Sequence, residues 1–101
     1  MQAIHAEPAR AWTVSELARI AGQSRSGFAA RFHDRMGRSP IDYLARWRVR
    51  LAAARLRSSG APISAIAMEV GSATDSGFSA LFRRVMGMSP RQYRNRSKAD
   101  D

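Results

Sequence analysis

Cysteine is absent from the 101 residues. That removes disulfides, zinc–thiolate sites and thiol nucleophiles, and it fits a reducing, cytoplasmic setting. Histidine is scarce: His5 and His33 are the only two, and neither stands at metal-ligand spacing or beside a carboxylate pair. The chain is therefore read as no enzyme, with no catalytic residue, no metal site and no cofactor. No apolar run approaches the roughly eighteen residues of a membrane span, and the start lacks the charged, apolar, then small-residue order of a secretion signal. No stretch alternates with the period of a strand, so the expected fold is all-α. Acids are few as well, eight against seventeen Lys and Arg.

That imbalance is the first positive signal. The formal charge is +9 and the pI about 11.7, which points to a polyanionic partner. Between Arg10 and Lys98 stand all seventeen basic residues but only five acids, Glu16, Asp34, Asp42, Glu69 and Asp75. Sixteen of the seventeen are Arg, which GC-rich coding also produces, so placement decides more than the total.

The second signal is a duplication. Ser26-Gly27-Phe28 returns as Ser76-Gly77-Phe78, fifty residues on. Ala30, Phe32, Met36-Gly37, Ser39-Pro40 and Tyr43 return as Ala80, Phe82, Met86-Gly87, Ser89-Pro90 and Tyr93. Upstream, Val14-Ser15, Leu17-Ala18 and Gly22 match Ile63-Ser64, Ile66-Ala67 and Gly71, so the second copy has one extra residue in its inner turn. Two copies are too few for a solenoid.

Helix punctuation is dense. Thr13-Val-Ser-Glu16 reads as a reciprocal capping box, with Trp12 and Leu17 as its hydrophobic staple. A helix to about Ala21 ends at Gly22; Ser24 caps a second, Arg25 to Met36, closed by Gly37. Ser39-Pro40 starts a third, running to about Ser58 and ended by Gly60-Ala61-Pro62. The second copy repeats the grammar: Ile63 to Val70 with a weak cap at Pro62, Thr74 to Met86, Gly87, and a short helix opened by the box Ser89-Pro-Arg-Gln92.

A short helix, a glycine turn and a second helix make a helix-turn-helix unit. Leu17, Ala18 and Ala21 are placed to face Phe28, Phe32 and Met36. The outward face of the second helix then carries Ser26, Ala30, His33 and Asp34, with Ala29 at its edge; the later copy carries Ser76, Ala80, Arg83 and Arg84, with Ser79 at its edge. Small outward residues suit insertion into a groove and equally suit plain solvation; the duplication on a basic chain favours the groove. In the joining helix, Leu44, Trp47, Leu51 and Ala54 form one apolar strip and Val49, Ala52, Ala53 and Leu56 another, one for each unit. Arg46, Arg50 and Arg57 lie on a third face, either solvated or against phosphates. The expected organisation is one domain over 1–101: a first helix-turn-helix at 12–38, a bridging helix at 39–60, a second helix-turn-helix and closing helix at 62–96, and a disordered tail at 97–101.

Tandem helix-turn-helix units joined by a Trp-containing helix, each followed by Gly-x-Ser-Pro-x-x-Tyr, resemble the AraC family of bacterial transcription regulators. Gly37-Arg-Ser-Pro40-Ile-Asp-Tyr43 and Gly87-Met-Ser-Pro90-Arg-Gln-Tyr93 both carry that element. Ile66-Ala67 through Gly71, then Phe78-Ser-Ala-Leu-Phe82-Arg, is similar to the family's most characteristic stretch. The resemblance covers about residues 10–95. It implies seven helices, two recognition helices in successive major grooves of double-stranded promoter DNA, sequence-specific transcription control, and RNA polymerase as a further partner. The start resembles the end of the family's first helix, about Gln2 to Ala6. An excised DNA-binding domain is therefore expected, monomeric when free, with its effector domain missing.

The resemblance carries base reading to Arg25, Ser26, Ala29 and Ala30, and to Asp75, Ser76, Ser79 and Ala80. Many family members have a long polar or basic side chain where this chain has Ala30 and Ala80; Arg would bridge guanine O6 and N7, whereas Ala only touches a thymine methyl. Arg25 suits guanine or phosphate. Asp75 suits cytosine N4 or the helix dipole. Phosphate contacts are assigned to Arg31, Arg46, Arg50, Arg83 and Arg84, with the amides that open the Val14 and Ile63 helices. The same module also occurs in DNA-repair methyl acceptors, whose thiol chemistry a chain without cysteine lacks. Two other classes remain: a basic helical module binding an acidic protein or DNA non-specifically, and an RNA binder, for which the aromatics are all assigned to the core.

Overall fold

The computed structural model describes residues 2–72 and 74–100, the last three by backbone alone. Among them there is no strand, and the helices are α1 (Gln2–Ala6), α2 (Val14–Ile20), α3 (Arg25–Met36), α4 (Pro40–Ser58), α5 (Ile63–Glu69), α6 (Asp75–Met86) and α7 (Pro90–Asp100). The chain forms an elongated body of 47 × 22 × 22 Å. No helix of the described residues is long and apolar enough to cross a membrane.

Local chemistry explains where the helices start and stop. Ser24, Ser39 and Thr74 each accept the amide three residues on, at 3.0–3.1 Å, which satisfies one of the amides a helix start leaves unpaired. Gly37 and Gly87 end α3 and α6 in the left-handed conformation, each amide returning to a carbonyl four residues back. Pro62 opens α5 without a side-chain cap. The closing helix is longer than expected: α7 continues past residue 97 to Asp100, because no Gly or Pro after Pro90 interrupts it, and Asp101 lies outside the described residues.

Two cores follow from the two copies. Ile4, Trp12, Leu17, Ala18, Phe28, Phe32 and Leu44 form the first. Val49, Ala52, Ala53, Leu56, Ile66, Ala67, Val70, Phe78 and Phe82 form the second. The duplicated aromatics rebuild one stack. Phe28 and Phe32 lie 5.9 Å apart and Tyr43 stands edge-on to Phe32 at 5.5 Å. Phe78 and Phe82 lie 5.8 Å apart and Tyr93 stands edge-on to Phe82 at 5.5 Å. Each buried ring contributes about 1.5–3 kcal/mol by leaving water, and the edge-on contacts suit the ring quadrupoles.

Three packing expectations need correction. Met36 and Ala21 are exposed: both stand at the ends of their helices, beyond the point where α2 and α3 meet. The two apolar strips of α4 do not divide one per unit. Leu44 and the half-buried Trp47 pack on the first core, Leu51 joins the second, and Ala54 is exposed. The helix is shared along its length instead, because the units follow one another along its axis. The Thr13 box is only half made. Thr13 accepts the Glu16 amide at 3.1 Å, but the Glu16 carboxylate accepts from Arg10 at 2.7 Å and from the Thr13 hydroxyl at 3.3 Å rather than from the Thr13 amide. The box at α7 closes in both directions, at 3.0 and 3.1 Å.

Candidate nucleic-acid interface

The second helix of each unit has one buried face and one open one. Phe28 and Phe32 hold α3 to the first core, Phe78 and Phe82 hold α6 to the second, so the opposite face of each helix points outward. Arg25, Ser26 and Ala30 are exposed on α3, with Ala29 half-buried at the edge. Asp75, Ser76 and Ala80 are exposed on α6, with Ser79 half-buried in the same way. The two faces therefore match position by position, as the duplication requires. They differ in charge: α3 adds His33 and Asp34, α6 adds Arg83 and Arg84, all exposed.

The arginines separate into groups that composition cannot distinguish. Two are structural. Arg48 donates from Nε to the Pro8 carbonyl and from Nη2 to the Arg10 carbonyl, both at 2.7 Å; its partial burial lowers the guanidinium pKa from its usual value. Arg94 donates to the carbonyls of Leu56, Ser59 and Ala61 at 3.3, 3.2 and 2.7 Å, and so closes the end of α4. Arg55 grips the Glu69 carboxylate at 2.9 and 3.2 Å. That bond holds the Glu69 carboxyl below its usual range and raises the guanidinium.

The residues assigned to phosphate are not equally available. Arg31 is exposed but reaches back to Gln23 Oε1 at 2.7 Å. Among the described residues, Arg25, Arg50 and Arg83 have no ion-pair partner. Arg46 lies 3.1 Å from Asp42, and Arg84 lies 3.8 Å from the same carboxylate. Sequence reasoning gave Asp42 no part at this surface. Its i,i+4 spacing to Arg38 and Arg46 was legible; its contact with Arg84, on the other unit, was not. Arg38, Arg46 and Arg50 also line a hollow of about 330 Å³ with Met36, Tyr43 and Trp47. The Trp47 Nε1 is buried without a hydrogen-bond partner.

Among the described residues no group of His, Asp and Glu is arranged to hold a metal ion. His5 serves the fold: its Nε2 lies 2.8 Å from the Tyr43 hydroxyl and its ring 4.3 Å from that of Trp47, docking α1 on the first unit.

Comparison with known proteins agrees with this architecture. A helix-turn-helix domain family matches residues 17–96. An AraC-like transcription regulator of Streptomyces antibioticus is 50% identical over 91 residues, 90% of this chain and 30% of that protein. Its counterpart in Streptomyces lividans is 48% identical over 91 residues, again 90% and 30%. The chain thus spans about 30% of the length of these relatives. The solved DNA-binding domain of the global transcriptional factor AdpA, in complex with a target DNA, superimposes with a TM-score of 0.90. It is 29% identical, and the match covers 98% of this chain and 88% of that one.

Proposed function

Because the chain belongs to the AraC-type family of helix-turn-helix transcription regulators, we propose that it reads a specific double-stranded DNA sequence with α3 and α6 in successive major grooves. The observation that carries this reading is the matched pair of faces: both helices turn an exposed Ser and Ala outward from the same Phe–Phe–Tyr stack. A helix bearing small outward residues enters a major groove closely, and a closely similar aromatic stack presents both helices alike.

The roles divide by chemistry. Arg25, Ser26, Ala29 and Ala30 on α3, and Asp75, Ser76, Ser79 and Ala80 on α6, meet the base edges. Ala30 and Ala80 favour thymine methyls by contact, Ser26 and Ser76 hydrogen-bond with either type of edge, and Arg25 supplies the one guanidinium able to bridge guanine O6 and N7. Arg31, Arg46, Arg50, Arg83 and Arg84 meet phosphates, fixing register without reading sequence. With so few long polar readers, much of the selectivity falls to methyl contacts and to DNA shape.

The test is selection of bound sequences from random double-stranded DNA at two salt concentrations. Two short blocks about one helical turn apart, retained at the higher salt, are expected. Recovery of no motif, with binding collapsing steeply as salt rises, would reduce the interaction to phosphate attraction and overturn sequence reading. Binding to neither pool would redirect the basic surface to an acidic protein.

A further inference from the structure

Arg46 and Arg84, two of the arginines assigned to phosphate, share one carboxylate. Asp42 Oδ2 accepts from Arg46 Nε at 3.1 Å, and Oδ1 lies 3.8 Å from Arg84 Nη2. Arg38, from the turn between α3 and α4, adds a third guanidinium at 3.5 Å. One acid thus gathers cations from the turn, from α4 and from α6 of the other unit, and the cluster keeps a surplus of positive charge.

The duplication shows that this arrangement is not a by-product of the cap. At the equivalent position of the second copy, the Gln92 side chain folds back to accept the Ser89 amide at 3.0 Å. The Asp42 amide is capped by Ser39 at 3.1 Å just as the Gln92 amide is by Ser89. The shorter Asp42 carboxylate turns to the arginines instead. The three guanidinium side chains are 38, 42 and 64% exposed, so each is within reach of a polyanion. Exposed ion pairs of this kind exchange partners readily.

We infer that Asp42 sets the balance between selective and charge-driven DNA binding, by competing with phosphates for Arg38, Arg46 and Arg84. The inference rests on the DNA-binding reading above. In a loose encounter no phosphate is held at the right place, and the nearby carboxylate keeps its arginines. When both helices are seated, the backbone is brought to the cluster and phosphates displace it. Displacing the carboxylate costs the seated complex the whole of these ion pairs, whereas the loose complex forgoes only weaker phosphate contacts, so Asp42 holds back the specific complex at least as much as the unspecific one. Through Arg84 it also ties the last turn of α6 to the first unit.

The variant to test is Asp42→Asn, which keeps the backbone amide that Ser39 caps. Binding to the duplex recovered by selection and to poly(dI-dC) is measured by fluorescence anisotropy across a range of salt. Expected is a three- to tenfold gain, on the order of one released phosphate contact, for poly(dI-dC) at low salt, with the log–log salt slope steepening by about 0.9 for each arginine freed. The selected duplex gains at least as much, with its slope little changed because phosphates already hold its arginines, so the preference between the two rises. Glu69→Gln changes net charge equally and likewise frees an arginine, Arg55, away from the cluster. An equal shift in that variant would assign the effect to bulk charge and overturn the role of Asp42. So would an Asp42→Asn variant with unchanged slope and preference. A wild type that does not distinguish the two duplexes would instead strike the DNA-reading proposal itself. The free protein supplies an arm independent of DNA: the Arg46 and Arg84 Nε–Hε resonances should move in Asp42→Asn, and resonances that stay put would overturn the cluster.

Discussion

Gly71, in the turn after α5, is packed against Ala9, in the segment joining α1 to α2: a Cβ on Gly71 would come within 2.6 Å of the Ala9 carbonyl oxygen. The second unit's turn is thus seated on a strand of chain that belongs to the first unit, and the contact permits no side chain.

Comparison with Gly22 isolates that contact. Both glycines are left-handed, at φ +89° and +70°, but a Cβ on Gly22 would meet nothing within 4 Å. Gly22→Ala should lose only the left-handed backbone penalty, about 1–2 kcal/mol. Gly71→Ala should lose that and roughly 1–3 kcal/mol more from overpacking against rigid backbone. Urea denaturation of the two variants measures the difference. Equal losses would mean that Ala9 yields freely and that the units are not locked there.

The arginines offer a sharper division, since one chemical change should have opposite consequences at different places. Arg48→Met removes the charged donor from two carbonyls and should cost about 1.5–3 kcal/mol of stability. Its effect on DNA binding should follow only from loosened structure. Arg50 is exposed on the same helix without an ion-pair partner among the described residues. Arg50→Met should leave the unfolding midpoint nearly unchanged, weaken binding to all sequences alike, and reduce the salt slope by about one phosphate. An Arg50 variant that is destabilised but binds normally would reverse the assignment.

Much of this was readable beforehand because it is local. The caps at Ser24, Ser39 and Thr74 and the glycine stops depend on residues a few positions apart, and the duplication stated each of them twice. What was not readable depends on partners distant in the chain. Glu16 carries the pattern of a reciprocal box, yet Arg10 takes its carboxylate. Ile4, on a five-residue helix that periodicity cannot weigh, is fully buried in the first core. Arg48 and Arg94 look like surface charge but bind carbonyls 33 to 40 positions away. The outward faces of α3 and α6 were legible, because burying the phenylalanines leaves only one direction for the rest; whether Arg46 and Arg84 stand free was not.

The proposed reading by two separate helices implies independent specificity. Ala80→Arg places a guanidinium on the exposed centre of α6 where guanine O6 and N7 can be bridged, a pairing worth about 1–3 kcal/mol of discrimination. Repeating the selection with this variant should recover a new guanine in one block and leave the other as it was. A change in both blocks would mean that the two helices do not read separately.

The spacing of the heads bears on the shape of the DNA. α4 has 19 residues, so it is about 28 Å long, and the two cores are strung along it, Leu44 on the first and Val49 to Leu56 on the second. The units are therefore centred closer together than that length, whereas a straight duplex presents successive major grooves about 34–36 Å apart. The close contact of Gly71 with Ala9 resists splaying the units to make up the difference. The duplex should give way instead, bending toward the protein at a cost on the order of 1–6 kcal/mol. A circular-permutation gel should then show a bend centred between the two blocks. Replacing a pyrimidine–purine step there by a stiff A-tract should weaken binding although no side chain touches it. A straight duplex with both blocks protected would show that the units part, and the same gel with Gly71→Ala would show whether that contact restrains them.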